Sequence, residues 1–112
     1  MNEKRYDVNI TDFALEAVQD IASYIAYELF NEDAAIRWLE KIQDIVTSLS
    51  YFPERVTLTP EEPWHSIGIH RLTVENYYLY FWIDKEQDSV HVTDVVCQRM
   101  DQAKRLAHAP LR

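Results

Sequence analysis

The stretch "GIHRLTVENYYLYFWID", Gly68 to Asp84, gathers side chains able to do chemistry: His70 beside Arg71, then Tyr77, Tyr78, Tyr80 and Trp82. Aromatic faces stack on nucleic-acid bases, and a guanidinium pairs with phosphate or carboxylate, so these residue types suit a stacking and charge platform. They suit plain cross-strand packing equally well, because strands are enriched in aromatics that pair with one another. His65, His70 and His91 are the imidazoles available as acid or base, with His108 in the tail. The odd spacing of His65 and His70 would separate them across a sheet, which argues against a shared metal. Cys97 is the only cysteine, so neither an internal disulfide nor a multi-cysteine zinc site is possible, and it reads as a core residue ending a strand. One glycine, Gly68, excludes a glycine-rich phosphate loop. No cofactor motif or paired-carboxylate constellation is present, and no cofactor or metal is expected.

The elements that must position these residues follow from periodicity. "YDVNI" alternates and predicts a first strand over residues 4–10, with Thr11 or Asp12 capping the next helix. Ala14, Ala17, Val18, Ile21, Ala22, Ile25 and Leu29 then recur every three or four residues, one helical stripe. "NED" at 31–33 interrupts it: Asn31 caps, and Glu32 and Asp33 sit where the helix dipole favours negative charge. Ala35, Trp38, Leu39, Ile42, Ile45, Val46 and Leu49 form a second stripe that ends before Pro53. Residues 53–64 hold three of the four prolines and predict an irregular connection. Strands are predicted over 66–75, 77–84 and 89–97, with "DKEQDS" as a hairpin loop and Asn76 as a turn. Met100, Ala103 and Leu106 fit a short closing helix. The order β-α-α-β-β-β-α is an α+β fold, with a helical hairpin on one face of an antiparallel sheet, in a single domain spanning residues 1–112.

Parity assigns the faces. Leu79, Phe81 and Ile83 belong under the helices, while Tyr78, Tyr80 and Trp82 lie on the far face with His91 and Thr93, joined by Arg71 and Thr73. Only the C-terminal segment is left over to cover that face.

The charge is −8, and it is uneven: residues 1–52 carry ten Asp and Glu against four Lys and Arg. Phosphate repels such a protein at long range, so bare nucleic acid is a poor partner and a basic protein a better one. No apolar run reaches the ~20 residues of a membrane span and no signal-peptide stretch opens the chain, which predicts a cytoplasmic protein.

The segments "YDVNITDFALEAVQDIASYI", "AAIRWLEKIQDIVTSLSYFPER", "IHRLTVENYYLYFWID" and "VHVTDVVCQRMD" together resemble the RelE/ParE superfamily of toxins from bacterial type II toxin–antitoxin modules. The resemblance implies a protein that arrests growth when free and is neutralised by a cognate antitoxin. RelE-like members cut mRNA on the ribosome without a metal, and ParE-like members inhibit DNA gyrase and lack the nuclease residues. Metal-free RNA cleavage needs the 2′-hydroxyl deprotonated, the phosphorane charge stabilised and the leaving oxygen protonated. Carried onto this chain, the resemblance makes Arg71, His70, Tyr78 and Arg99 the catalytic candidates. Arg55, Tyr80, Trp82 and His91 are the target-contacting candidates, and Trp64 is an anchor for the antitoxin. Tyr78 stands where the nucleases have an arginine, and 53–66 holds Arg55 as its one permanent cation where they carry lysines. Losing such a cation costs on the order of a hundredfold or more in rate, so the ParE-like, non-nuclease kind gains, and the target stays open between translated mRNA and DNA gyrase. A partner-binding module of the same fold without toxicity is the competing reading, favoured by the acidity.

Overall fold

The computed structural model of the chain describes residues 4–98. The elements are β1 (Asp7–Ile10), α1 (Asp12–Ser23), a π-helical turn (Tyr24–Glu28), α2 (Glu32–Ser48), a 3₁₀ turn (Pro53–Arg55), β2 (His70–Val74), β3 (Tyr77–Asp84) and β4 (Ser89–Cys97). The closing helix expected around Met100 to Leu106 lies outside the described residues.

Both helix starts are set by the capping residues read from the sequence. Thr11 Oγ1 accepts from the Ala14 amide at 3.1 Å, and Asn31 Oδ1 accepts from the Ala34 amide at 3.0 Å. Each satisfies one donor that the first turn leaves unpaired, worth about 1 kcal/mol. The first stripe holds through Ile25 and then fails at Leu29, which is exposed. The Leu29 amide reaches back five residues to the Tyr24 carbonyl at 3.2 Å. That wider turn rotates the end of the stripe off the buried face. In α2, Ala35, Trp38, Ile42 and then Leu49 are buried, while Leu39 is turned outward.

The sheet order is β1-β4-β3-β2, with β2–β3 and β3–β4 antiparallel and β1 parallel to β4. The expected antiparallel sheet is therefore mixed at one edge. The helical hairpin carries the chain from β1 to the opposite edge, and β4 returns through the middle alongside β1. Strand β1 is shorter than the reading of 4–10, and β2 begins at His70 rather than at 66. Residues 57–69 run along β2 instead: the Thr59 amide donates to the Ile69 carbonyl at 2.8 Å, and the Arg71 amide to Thr57 at 3.0 Å. Gly68, at φ 90°, turns the chain into β2 in a conformation other residues rarely adopt.

Two apolar clusters result. The larger lies between helices and sheet and includes Val18, Trp38, Ile42, Leu79, Phe81 and Val92. The smaller lies on the far face, where Ile69, Tyr80 and Val96 are buried and Trp64, Tyr78 and Trp82 pack around them. Far-face aromatics thus form a second core, covered by the proline-rich connection.

Candidate functional site

The alternation along β3 places Tyr78, Tyr80 and Trp82 on the far face as expected, but it does not leave Tyr80 exposed. Tyr80 is fully buried, and with Glu61 nearby, burial pushes its phenol up to about 12, an effect that Arg71 opposes. A tyrosine so enclosed is no stacking surface for a base. The β3–β4 register shifts between Tyr80 and Phe81, so that Tyr80 faces Asp94 and Phe81 faces Val92. Thr93 is the extra residue of this bulge, and its hydroxyl donates to the Tyr80 carbonyl at 3.4 Å. The far-face position expected for Thr93 belongs to Asp94, a buried carboxylate that accepts from the Val95 amide at 2.9 Å.

Arg71 lies opposite Tyr80 on the neighbouring strand, with its guanidinium carbon 4.1 Å from the centre of the Tyr78 ring. Its Nη1 is 3.3 Å from Glu61 Oε2, and the Thr59 hydroxyl donates to the other Glu61 oxygen at 2.6 Å. Both ion-pair side chains are 23% exposed. The cation that would meet a phosphate is stacked on a phenol and held by an internal carboxylate, which is itself fixed from behind. Arg71 and Tyr78, two of the catalytic candidates, are in contact, and Glu61 completes the group.

The other candidates are placed elsewhere. His70 lies on the opposite face of β2, its ring stacked on Phe81 at 4.9 Å and 8°. Its Nδ1 donates to the Val56 carbonyl at 2.7 Å. That imidazole faces away from Arg71 and helps hold the 53–69 connection to the sheet. Arg55 gives its Nη1 to the Tyr51 and Phe52 carbonyls at 2.6 and 2.9 Å and its Nη2 to Ser48 Oγ at 3.2 Å. It caps the end of α2. Trp82 and His91 stack at 4.6 Å, half-buried. Trp64 packs against the second core, and His65 Nδ1 donates to the Thr59 carbonyl at 3.0 Å. Arg99 lies outside the described residues. Among the described residues no group of three or more His, Cys, Asp or Glu side chains is arranged to hold a metal ion, and no helix is long and apolar enough to cross a membrane.

Sequence reasoning missed Glu61, because pairing across the irregular connection leaves no periodic signal. It also missed the groove on the outer side of the helical hairpin. There Ala22, Ala26 and Ala35 form a floor of small side chains between Tyr27, Ile36 and Leu39, enclosing ≈ 300 Å³. The alternation of Ala with larger apolar residues on both helices was the available clue.

Solved structures share this fold, among them the following three. The chromosomal ParDE toxin–antitoxin system of P. aeruginosa superposes with a TM-score of 0.68 at 16% identity, over 84% of this chain and 97% of that one. The RelBE2 toxin–antitoxin complex of Mycobacterium tuberculosis gives 0.62 at 21% identity, over 83% and 98%. A double mutant of E. coli RelE in the free state gives 0.59 at 13% identity, over 90% and 92%. No curated protein sequence matches the chain. Residues 8–102 match the family described as the ParE toxin of the type II toxin–antitoxin system parDE. With nearly its whole length matched, and with the sheet and helical hairpin of those structures, the chain belongs to the ParE toxin family.

Proposed function

We propose that this toxin arrests growth without cutting RNA, with DNA gyrase as its target, and that a cognate antitoxin neutralises it. The observation that carries the non-nuclease reading is the state of Arg71. It is paired with Glu61, stacked on Tyr78 and adjacent to a buried Tyr80, on a face closed by residues 57–69. Metal-free RNA cleavage requires cations aimed at the developing phosphorane charge, and here the far-face arginine is already neutralised. Family membership and the absence of lysine from 53–66 support the same reading.

The antitoxin is supported by two of the solved structures, the ParDE system and the RelBE2 complex, which pair a toxin with an antitoxin, and by the groove over Ala22, Ala26 and Ala35. A floor of small residues between apolar walls suits an amphipathic helix, and Glu32 at its edge suits a basic one. The test is a pair of assays with antitoxin-free protein. In a translation reaction the mRNA 5′ ends are expected to stay intact while a control nuclease cuts. In a supercoiling reaction, DNA gyrase is expected to be inhibited, and to recover when antitoxin is added. Codon-positioned cuts would replace this reading with a ribosome-dependent nuclease. Failure of both assays together with normal growth would leave a binding module.

A further inference from the structure

The two edges of the sheet are finished differently. Along β2 the connection lies against the strand: the Arg71 amide donates to the Thr57 carbonyl at 3.0 Å, and Leu58 bridges to His70. Along β1 the cover stops early. The Tyr6 amide donates to the Ser50 carbonyl at 2.9 Å and Arg5 bridges to Tyr51, and there it ends. The Asp7 and Thr11 amides donate to the Asp88 and Val92 carbonyls, so the parallel ladder turns Asp7, Asn9 and Thr11 toward β4 and Val8 and Ile10 outward. Among the described residues no hydrogen bond uses the Val8 or Ile10 amide. This open edge has no proline, lysine or bulge, the devices that keep natural edges from pairing.

The edge is its own complement. Val8 and Ile10 point outward on either side of Asn9, so a second β1 run antiparallel, with Val8 against Ile10 of the copy, pairs every outward amide and carbonyl of both edges. Neighbouring registers do not: one meets the Tyr6 amide already given to Ser50, and the other meets Asp12, which is in α1. Asn9 then lies on the two-fold axis. It is exposed, and its amide, both donor and acceptor, can pair with its own copy where a charge would repel itself. The ends match as well. Lys4 and Arg5 lead into β1 and are the last cations before Arg37, while Asp12 and Glu16 follow the strand. Antiparallel pairing brings Arg5 of one copy to the start of α1 in the other. The Arg5 guanidinium carbon lies 5.0 Å from the centre of the Tyr51 ring, and among the described residues none of Arg5, Asp12 and Glu16 is in an ion pair. Exposed apolar side chains occupy the same two ends, Tyr51 and Phe52 beside the first, Ile10 and Leu15 at the second. A copy of the chain carries that order of charge and apolar surface in reverse, as the pairing needs.

We propose that two copies of the chain pair β1 to β1 across a two-fold axis at Asn9, joining their four-stranded sheets into one continuous sheet. Val8 and Ile10 supply the ladder, Arg5 faces Asp12 of the other copy, and Tyr51 and Phe52 cover its Ile10 and Leu15. The paired edge is short, so the dimer is a reversible one. It uses residues 5–16 and 50–52, none of which lines the groove assigned to the antitoxin. It is independent of what the toxin acts on.

The test is sedimentation velocity of the full chain from about 1 to 200 µM. The buffer holds about 0.15 M salt, where repulsion between two chains of charge −8 is screened beyond about 8 Å. The unmodified chain is expected to pass from monomer to dimer across that range. Asn9→Lys puts like charges on the axis at an exposed position and is expected to weaken association on the order of tenfold. Ile10→Pro removes an outward amide that β4 does not use and should act alike; if it fails to fold, Asn9→Lys decides. Register is read by oxidation in a Cys97→Ser background. Asn9→Cys is expected to crosslink to its copy, because opposed Cα atoms of a non-hydrogen-bonded pair lie about 4.5 Å apart, and Asp7→Cys is not. A monomer throughout the range overturns the proposal. So does a dimer that Asn9→Lys leaves as tight, or one in which Asp7→Cys crosslinks as readily as Asn9→Cys. A monomer whose Val8 and Ile10 amides gain protection from hydrogen exchange only with antitoxin overturns it too, and gives the edge to an antitoxin strand.

Discussion

Arg71 and Glu61, ten residues apart in a chain without a helix between them, meet at 3.3 Å across the edge of the sheet. The contact does two things at once. It neutralises the far-face guanidinium, and it ties the proline-rich connection down over Tyr80.

Replacing Glu61 with Gln is expected to loosen that connection at modest cost. The pair is partly exposed, so the loss should be about 1 kcal/mol, read as a lower urea midpoint with an unchanged slope. Arg71→Ala should cost about the same, and the double variant little more than either single one, because both remove one interaction. Additive losses would show that the two residues act separately.

His70→Ala should destabilise the fold without touching growth inhibition per folded molecule. The variant loses the 2.7 Å bond to Val56 and the stack on Phe81, together worth about 1–3 kcal/mol. Chemical denaturation measures the first effect, and gyrase inhibition normalised to folded protein the second. A fall in specific inhibition with stability unchanged would return His70 to the functional site.

At the alkaline end, Tyr80 sets a limit. Its folded pKa, about 12, lies above the unfolded value of 10.0, so the neutral phenol favours the folded state. That contribution is complete below pH 10 and is lost as pH rises from there through the folded value. Tyr80→Phe should flatten the decline of the unfolding midpoint above pH 10, followed by circular dichroism alongside tyrosinate absorbance.

At the acid end, the Tyr6 hydroxyl donates to Glu54 at 2.6 Å. That hydrogen bond holds the Glu54 carboxyl below the usual carboxylate range. A depressed carboxylate contributes stability above its unfolded pKa of 4.5, and the contribution is lost as pH falls through the folded value. Tyr6→Phe should lower stability most at neutral pH and flatten its decline below pH 4.5, so that the two proteins converge in acid when urea midpoints are followed against pH. An unmoved acid limb would mean that other carboxylates govern it.

Periodic features were legible in the sequence. The two helices, their Thr11 and Asn31 caps, and the inward set Leu79 and Phe81 all rest on local spacing, which one strand or helix carries by itself. The features that were not legible involved an interruption of period or a partner far away. The π-helical turn moved Leu29 out, and the bulge at Tyr80 exchanged Thr93 for Asp94, each through one residue's change of phase. Tyr80 was placed on the correct face and wrongly expected to be exposed there. Its cover comes from residues 57–69, whose course is set by Gly68, Thr59 and Glu61 rather than by any repeat. Of the candidate site residues, Arg71 and Tyr78 meet, while His70 and Arg55 serve the connection and the end of α2.

The parallel pairing of β1 with β4 has a consequence for synthesis. The first strand waits for the last one, Asp7 aligning with Ser89, and β4 is also the partner of β3. Until that final strand leaves the ribosome the sheet lacks an inner member, and the two halves it joins have no ladder between them. A chain interrupted before Cys97 is therefore an open half-sheet prone to degradation.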